Sequence, residues 1–317
     1  MQGKGKPDIY VEYNNDINMR CSYMIKNKTL VGYLLMFLSA FCFSLMGIIS
    51  SLLFKTGIKT YDLMIMQSGV QILMIGTYYS FNKFKQLKIS LEDLKIICLQ
   101  GLLGTVPATY FYYITIQRTN VSIACLLLFT NPIFVTLYYI IFENQQISIS
   151  KIIVVITAFV GSVLVLNINP YTISDIDIIG ILAGIASSIS YAFYNIYADK
   201  KLKKYSPGAI IFYCTIVVFL FSSIINMNFY SRLDQINFGA LKYPIFLTAI
   251  TNTLPVALLY SGIRIIGAQI ASIIATGEIP FTMILSYFVL NEKLDGIQIL
   301  GSVLIMGAIL SLTLLKE

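Results

Sequence analysis

The chain has 317 residues, of which 57% are hydrophobic and only 12% are charged, and its mean hydropathy is +0.79. A soluble domain carries about 25% charged residues, so this composition excludes an ordinary soluble protein and predicts an integral membrane protein. Histidine is absent, which removes the commonest general base and the commonest metal ligand and argues against enzymes and metal sites. The net charge is +7, and the excess basic residues lie in the loops between the apolar segments. This excess is therefore interpreted as a sign of membrane topology, not of a nucleic-acid-binding surface.

Residues 1–28 form a polar segment with five basic residues and no apolar core of the kind found in signal peptides. They are predicted to be a cytosolic N-terminal tail. Both Met1 and Met24 remain candidates for the start of the protein. The five cysteines show no CxxC spacing, and four of them lie in apolar runs, so they are interpreted as small core residues rather than as ligands of a metal or cofactor.

Ten apolar segments follow the tail, each about as long as the roughly 20 residues of helix that cross a bilayer. The sequence therefore predicts an all-α integral membrane protein with ten transmembrane helices. The segments cover residues 30–54, 60–80, 94–115, 120–142, 150–167, 177–198, 207–226, 243–263, 267–290 and 296–315.

The basic residues are distributed unequally between the two sides of this topology. With the N-terminus inside, 16 of the 22 lysines and arginines fall on the inner side and 6 on the outer side. Because cytosolic loops carry the excess of Lys and Arg, this bias predicts a multi-pass protein of the cytoplasmic membrane with both termini in the cytosol.

The second half of the chain is a weak copy of the first. A shift of 148 residues aligns the first predicted span with the sixth, "TVP" at 105–107 with "TLP" at 253–255, and Tyr112 with Tyr260. Five crossings are an odd number, so the second copy must enter the membrane from the opposite side. We therefore expect two inverted five-helix repeats, at residues 29–168 and 176–317, an architecture suited to alternating access.

The order of features near the end of each half resembles the EamA-type transporters of the drug/metabolite transporter superfamily. The features are an alanine, a proline and a short polar turn before the last helix, here Ala124, Pro132 and "NQQIS" (144–148), then Ala271, Pro280 and "NEKLD" (291–295). The chain departs from the family pattern at Asn144 and Asn291, where a glycine is usual, and at Gln145, where an acid is usual. The resemblance implies a secondary transporter, and an exporter in particular.

Four prolines lie within predicted spans: Pro107, Pro132, Pro255 and Pro280. Each lacks a backbone donor and leaves a carbonyl without its helical partner, which hydrocarbon cannot satisfy. One interpretation is a structural kink that wraps one helix around another. The other is that the kinked helices line the transport cavity and provide hinges, and the two are compatible.

Glu278 is the only acidic residue well inside a predicted span. A carboxylate there costs about 2.5–3.5 kcal/mol on insertion scales, so it is expected to face protein or water rather than lipid. Helical spacing places it on a stripe of small or polar residues: Gly267, Ala271, Ala275, Glu278, Thr282 and Ser286. Glu278 either binds and releases a proton, faces a cationic substrate group, or is hydrogen-bonded for packing alone. Asn131 is its neutral counterpart in the fourth span.

Other polar residues within the spans are candidates for a substrate pocket: Gln67, Gln71, Gln100, Tyr191, Tyr194, Asn195 and Asn252. For each residue the alternative is a hydrogen bond between helices. Lysine and arginine do not occur deep in any predicted span, which disfavours phosphorylated anions, since these need fixed positive charge. A cation, an amino acid or another small metabolite with an amino group fits better.

The leading hypothesis is a secondary transporter of a small-molecule substrate, surrounded by membrane lipid, without a cofactor and without nucleic acid as a partner. The alternatives are a channel or a non-transporting scaffold and, with less support, an integral membrane enzyme acting on lipids. A homodimer is compatible with the sequence. The substrate, the direction of flux and proton coupling are left open.

Overall fold

The computed structural model describes residues 9–82, 87–119, 121–166, 177–231, 238–290 and 294–314, and all regular elements within them are helical. A π-helix at Gln100–Thr105 joins α3 to α4, and another at Ala198–Leu202 extends α8. The first helix begins at Ile9, inside the segment predicted as a tail. The α-helices are α1 (Ile9–Lys55), α2 (Thr60–Asn82), α3 (Leu91–Leu99), α4 (Val106–Arg118), α5 (Val121–Leu128), α6 (Asn131–Ile141), α7 (Ile149–Leu166), α8 (Ile178–Tyr197), α9 (Pro207–Ile225), α10 (Asn228–Ser231), α11 (Phe238–Ala275), α12 (Glu278–Leu290) and α13 (Gly296–Leu314).

Seven helical stretches in the described part of the chain are long and apolar enough to cross a membrane. They coincide with seven of the ten predicted segments and make this an all-helical, multi-pass membrane protein. The stretches are Lys28–Met46, Leu91–Arg118, Ile123–Ile141, Ile149–Leu166, Ile178–Leu202, Pro207–Ile225 and Pro244–Ala275. The other three predicted segments correspond to α2, to the end of α11 with α12, and to α13. Helix α11 is not continuous, because Gly267 has a non-helical backbone with φ of 77° and separates the eighth predicted segment from the ninth.

Short polar side chains begin several of these helices. Ser90, directly before α3, accepts a hydrogen bond from the backbone N–H of Asp93, the third residue of that helix. Asp177 does the same for Ile179 at the start of α8, at 2.8 Å. Each cap satisfies one of the backbone donors that a helix leaves free at its N-terminus, so these residues fix where the helices begin.

Two of the predicted transmembrane helices are broken in the middle. The fourth span is divided by Phe129 and Thr130 into α5 and α6, and the ninth is divided by Thr276 and Gly277 before α12 begins. The prediction that Glu278 lies in the middle of a helix, on a continuous stripe of small or polar residues, is therefore wrong, because Glu278 is the first residue of α12. At the break, the N–H groups of Thr276 and Gly277 turn back to carbonyls three residues earlier, at 3.1 and 3.0 Å.

The positions of the prolines explain these breaks. Pro107 and Pro132 are the second residues of α4 and α6, and Pro280 is the third residue of α12. Proline is tolerated in the first turn of a helix because its missing N–H would have no helical partner there. Only Pro255 lies in a helix interior, that of α11. At the two breaks, Pro132 and Pro280 thus lie in the first turn of a new helical segment, whereas Pro107 follows the π-helix within the continuous helical span Leu91–Arg118.

Helix α1 packs antiparallel against α11, and α8 packs antiparallel against α4. A Cβ atom added to Gly32 would lie 2.5 Å from Ile266, and one added to Gly180 would lie 2.7 Å from Thr119. Farther along the same helix pairs, Ser39 donates a hydrogen bond to the Pro255 carbonyl at 2.7 Å, and Ser187 donates one to the Ala108 carbonyl at 2.8 Å. Both sets of contacts are related by the 148-residue shift, within one residue.

Two further pairs of helices run in opposite directions. Along α2 and α9, Asp62 meets Asn226 at 2.6 Å, while Gly76 lies against Phe212 nearer the other ends of the helices. Along α7 and α13, Gly161 approaches Gly301, and the Val165 carbonyl accepts a hydrogen bond from Gln298 at 3.2 Å. Helix α2 and helix α9 contain the second and seventh predicted spans, and α7 and α13 contain the fifth and tenth.

Candidate functional site

A cavity lies between α1, α2, α4, α8, α9 and α11, with the first residue of α12 on its wall. Its empty volume is about 1230 Å³, including the part that is open to the outside. Most of the lining side chains are apolar, and among the described residues no lysine or arginine lines it. Six of the nine predicted pocket residues do line it: Gln67, Gln71, Tyr191, Tyr194, Asn252 and Glu278.

Glu278 provides the only carboxylate of the cavity wall within the described part of the chain. Glu278 lies at the N-terminus of α12, where the helix dipole favours negative charge. No described residue donates a hydrogen bond to its carboxylate; Thr282 bonds to its main-chain carbonyl instead, at 2.9 Å. Tyr112 and Tyr191 line the same cavity as Glu278, and the Tyr112 hydroxyl contacts the Cys125 thiol at 3.2 Å. The carboxylate is therefore available to a ligand.

Gln67 and Gln71 line the cavity and also link α2 to α11. The Nε2 of Gln71 donates to the Thr253 hydroxyl at 3.0 Å, and the Gln67 side chain accepts a hydrogen bond from Tyr113 at 3.3 Å. The two alternatives considered for these residues, pocket contact and interhelical hydrogen bond, are thus both present. Asn252 forms no side-chain hydrogen bond with another described residue.

Gln100 does not line the cavity, in contrast to the prediction. It is fully buried, and its Nε2 donates to the Tyr194 carbonyl at 3.1 Å and to the Tyr260 hydroxyl at 3.3 Å. Because these two tyrosines do line the cavity, Gln100 lies one layer behind the wall and holds it in position.

Asn131 and Asn195 also lie outside the cavity. Asn131 turns back to the helix break and donates to the Leu128 carbonyl at 3.1 Å, and its side chain is fully buried. Asn195 is 1% exposed and follows Tyr194 by one residue, a rotation of about 100° around the helix, so it leaves the face that lines the cavity. None of the four predicted kink prolines lines the cavity either: Pro107, Pro132, Pro255 and Pro280.

Several cavity residues were not among the predicted site residues. Tyr112 and Tyr260 both line the wall, and so do Ser50, Ser68 and Thr215. The two tyrosines could have been identified, since they are equivalent positions of the internal repeat. The small hydroxyl residues carried no signal that separates them from the many serines and threonines that pack between helices.

A cluster of charged and aromatic residues lies at one end of the bundle, where α8 ends. We name it the Asp199 cluster; it comprises Tyr139, Glu143, Asp199, Lys200 and Lys203. The Tyr139 hydroxyl donates to Asp199, Lys203 pairs with Asp199 at 2.6 Å, and Lys200 pairs with Glu143 at 2.8 Å. These contacts join α6 to the π-helix at the end of α8.

An ion pair between Arg118 and Asp177 lies at the other end of the bundle. It joins the end of α4 to the start of α8. The hydrogen bond from Arg118, helped by the backbone N–H of Ile179, lowers the pKa of the Asp177 carboxyl below its usual value.

The chain is similar to known membrane transporters. The family model described as "EamA-like transporter family" matches residues 30–167 and again residues 178–314. An "Uncharacterized inner membrane transporter YicL" of Salmonella typhimurium is 23% identical over 77% of this chain and 81% of its own length. An "S-adenosylmethionine uptake transporter" of Rickettsia bellii is 26% identical over 77% of this chain and 79% of its own.

A solved crystal structure shares the fold, with a TM-score of 0.67 and 15% identity over 91% of this chain and 98% of its own. The relatives are named as transporters, which agrees with the prediction of a membrane transporter rather than an enzyme. Because the two matches to the family model span most of the sequence, the chain belongs to the EamA-like transporter family.

Proposed function

We propose that the protein is a secondary transporter that moves a small cationic or amino-acid-like metabolite across the cytoplasmic membrane by alternating access. The observation that carries this proposal is the Glu278 carboxylate, which has no hydrogen-bond donor among the described residues and lies on the wall of a cavity without lysine or arginine. Such a site suits a positively charged group, because the carboxylate then gains a counter-charge inside the protein.

The proposed architecture has ten transmembrane helices in two inverted five-helix repeats, residues 29–168 and 176–317, with both termini in the cytosol. The opposite directions of α2 and α9, and of α7 and α13, support it, because equivalent helices of inverted repeats run antiparallel. The reciprocal contacts of Gly32 and Gly180 and of Ser39 and Ser187 support it further. Two family matches of similar length fit the same division.

Alternating access requires exchange between a state in which the cavity opens to one side of the membrane and a state in which it opens to the other. The two broken helices provide a mechanism for this exchange. Discontinuous transmembrane helices are typical of transporter sites near the centre of the membrane, where their free ends face a cavity. Glu278 and Asn131 begin the second segments of these helices in the two halves, one charged and one neutral. We propose that Glu278 exchanges its bound proton or its bound cation as the cavity changes the side to which it opens.

The names of three relatives suggest a substrate with which to begin. Proteins of three Rickettsia species are named S-adenosylmethionine uptake transporters. That molecule carries a sulfonium and an amino group, and both suit a cavity in which Glu278 provides the one carboxylate among the described lining residues. Export remains the direction that we propose from the family resemblance, and uptake is the alternative.

The test uses purified protein in liposomes loaded with unlabelled S-adenosylmethionine. Labelled S-adenosylmethionine outside should enter by saturable counterflow, whereas S-adenosylhomocysteine, which lacks the methyl group and the positive charge on sulfur, should compete poorly. Glu278→Gln should insert normally and lose most of this exchange. Unchanged exchange in Glu278→Gln would contradict the role of Glu278, and non-saturable ohmic current would indicate a channel. Flux from right-side-out and inside-out vesicles decides between export and uptake.

A further inference from the structure

Helices α6 and α8 pack against each other from the break that precedes α6 to the Asp199 cluster. At one end of this interface the Thr130 and Ser188 hydroxyls lie 2.7 Å apart, and at the other end Tyr139 donates to Asp199. The two contacts follow each other in the same order along both helices, so the helices run in the same direction. Among the described residues, α6 contributes none to the cavity wall.

Two polar side chains are buried along this interface. Thr136 of α6 is 7% exposed, and Asn195 of α8 is 1% exposed. Asn195 lies two turns after Ser188 and one turn before Asp199, a spacing that places all three on the face of α8 that meets α6. At a rise of about 1.5 Å per residue, Thr136 and Asn195 lie about 9 and 10.5 Å from the first contact, and therefore at nearly the same depth. The Thr136 Oγ1 and both polar side-chain atoms of Asn195 have no hydrogen-bond partner in the described part of the chain.

Unpaired polar groups of this kind oppose the closed packing of α6 and α8. A buried hydroxyl or amide without a partner has lost its hydrogen bonds to water and gained none in the protein, which is why most buried polar groups are paired. Separation of the two helices removes this cost, since water or a polar substrate then reaches both side chains. Thr136 and Asn195 therefore favour a state in which the interface is open.

The equivalent pair of helices in the other half of the repeat, α12 and α1, is open in this structure. Ser50 of α1 and Glu278 of α12 line the cavity. Their counterparts under the internal repeat, Ala198 and Asn131, are 2% and 0% exposed and lie outside it. The Asn131 Oδ1 also has no hydrogen-bond partner among the described residues. Because inverted repeats are related by a twofold axis in the membrane plane, we expect α6 and α8 to open when α12 and α1 close.

We propose that Thr136, Asn195 and Asn131 line the transport path in the state that is open towards the Asp199 cluster. This inference rests on the proposed function, in which the cavity changes the side to which it opens, and it adds the residues that form the path on the second side. In that state the three side chains offer uncharged donors and acceptors to water and to the polar groups of the substrate.

Cysteine labelling tests the position of Asn195. In a protein whose native cysteines are all replaced by alanine, Asn195→Cys is exposed to a membrane-impermeant maleimide from either side of sealed vesicles. It should react from the Asp199 side alone, and Asp199→Asn in the same protein should raise the rate several-fold. Ser162→Cys on α7, also fully buried and outside the cavity, is the control and should react from neither side.

A pair of threonine variants tests the unpaired hydroxyl. Thr136→Val nearly keeps the shape of the side chain and removes the hydroxyl, so it should raise the unfolding temperature by about 2 °C. It should also slow the exchange of S-adenosylmethionine about fivefold, because it favours the closed interface. Thr248→Val is the matched control, since Thr248 is buried but its hydroxyl donates to the Ile245 carbonyl at 2.8 Å. The control should lower the unfolding temperature and leave exchange unchanged.

The outcomes separate this inference from the proposed function. The inference is overturned if Thr136→Val loses as much stability as Thr248→Val, because the Thr136 hydroxyl then has a partner in the closed interface. It is also overturned if Asn195→Cys stays as unreactive as Ser162→Cys while exchange continues, and the proposed function then stands. If exchange is absent, the substrate of the proposed function is wrong, and labelling still decides the inference because it needs no substrate. Thr136→Cys, at nearly the same depth, replaces Asn195→Cys if that variant does not fold.

Discussion

The Tyr139 hydroxyl donates a hydrogen bond to the Asp199 carboxylate and thereby ties α6 to the end of α8. Asp199 also pairs with Lys203, while Lys200 lies over the Tyr139 ring at 5.2 Å from its centre. The side chain of Asp199 thus connects two groups, Tyr139 and Lys203, at this end of the bundle. Asp199 lies on the π-helix Ala198–Leu202, a form that is frequent at functional sites.

Asp199→Asn should therefore open this end of the cavity more often. In a protein whose other cysteines are replaced by alanine, the cavity residue Cys214 should react several-fold faster with a membrane-impermeant maleimide applied from the Asp199 side. Lys201→Gln removes a charge from the same π-helix without altering the Asp199 cluster and should leave the rate unchanged. Equal rates in Asp199→Asn and wild type would show that the cluster does not limit access.

Gln100 gives a second prediction, since it supports two tyrosines of the cavity wall. Gln100→Leu removes the donor to Tyr260 and leaves a buried hydroxyl without it, which costs about 1–3 kcal/mol of unfolding free energy. The half-saturation concentration for substrate should rise together with this loss of stability. Gln117→Leu, an exposed position at the end of the same span, should change neither quantity. A normal half-saturation constant in Gln100→Leu would show that the wall does not need this support.

The close contacts of Gly32 and Gly180 give a matched pair of stability predictions. Alanine at either position would bring a methyl group within 2.5 Å of Ile266 or 2.7 Å of Thr119, so each substitution should lower the unfolding free energy by about 1–3 kcal/mol. Gly307→Ala is the control, because nothing lies within 4 Å of an added Cβ there, and it should be neutral or slightly stabilising. Thermal unfolding in detergent measures all three, and unequal losses at Gly32 and Gly180 would argue against equivalent contacts in the two halves.

The ion pair of Arg118 with Asp177 predicts a pH dependence. Arg118 lowers the pKa of Asp177 in the folded protein, so the pair stabilises the fold above the unfolded value, about 3.9, and this contribution disappears as pH falls through the lower folded value. Asp177→Asn should therefore unfold at a lower temperature than wild type near neutral pH, with the difference shrinking in acid. Arg118→Gln should behave in the same way, and the double variant should lose no more than either single one. Additive losses would show that the two residues stabilise the fold independently.

Much of the fold was predictable because each helix that faces lipid must be long and apolar, and long apolar runs can be read directly from the sequence. The breaks before Asn131 and Glu278 were not predicted, although Pro132 and Pro280 lie at them. A proline in an apolar run is compatible with a kinked helix or with the start of a new one. Only the tertiary contacts decide between these two outcomes.

The candidate site was predicted in part for a similar physical reason. Residue type identified Glu278, Gln67 and Gln71, because polar groups are costly in the membrane and must face protein or water. It could not separate Tyr194, on the cavity wall, from Asn195, which is buried behind it. That distinction depends on the rotation of α8 about its axis, and α8 carries small or polar residues on more than one face.

The helix break that places Glu278 on the cavity wall also has an electrical consequence. A bound monovalent cation or a bound proton neutralises the Glu278 carboxylate, whereas an empty cavity with an ionised Glu278 keeps one negative charge within the membrane. Asn131, at the corresponding break, adds no second charge to compensate. We therefore expect the membrane potential to act mainly on the return of a transporter that has released both cation and proton, because only that step moves an unbalanced charge relative to the field.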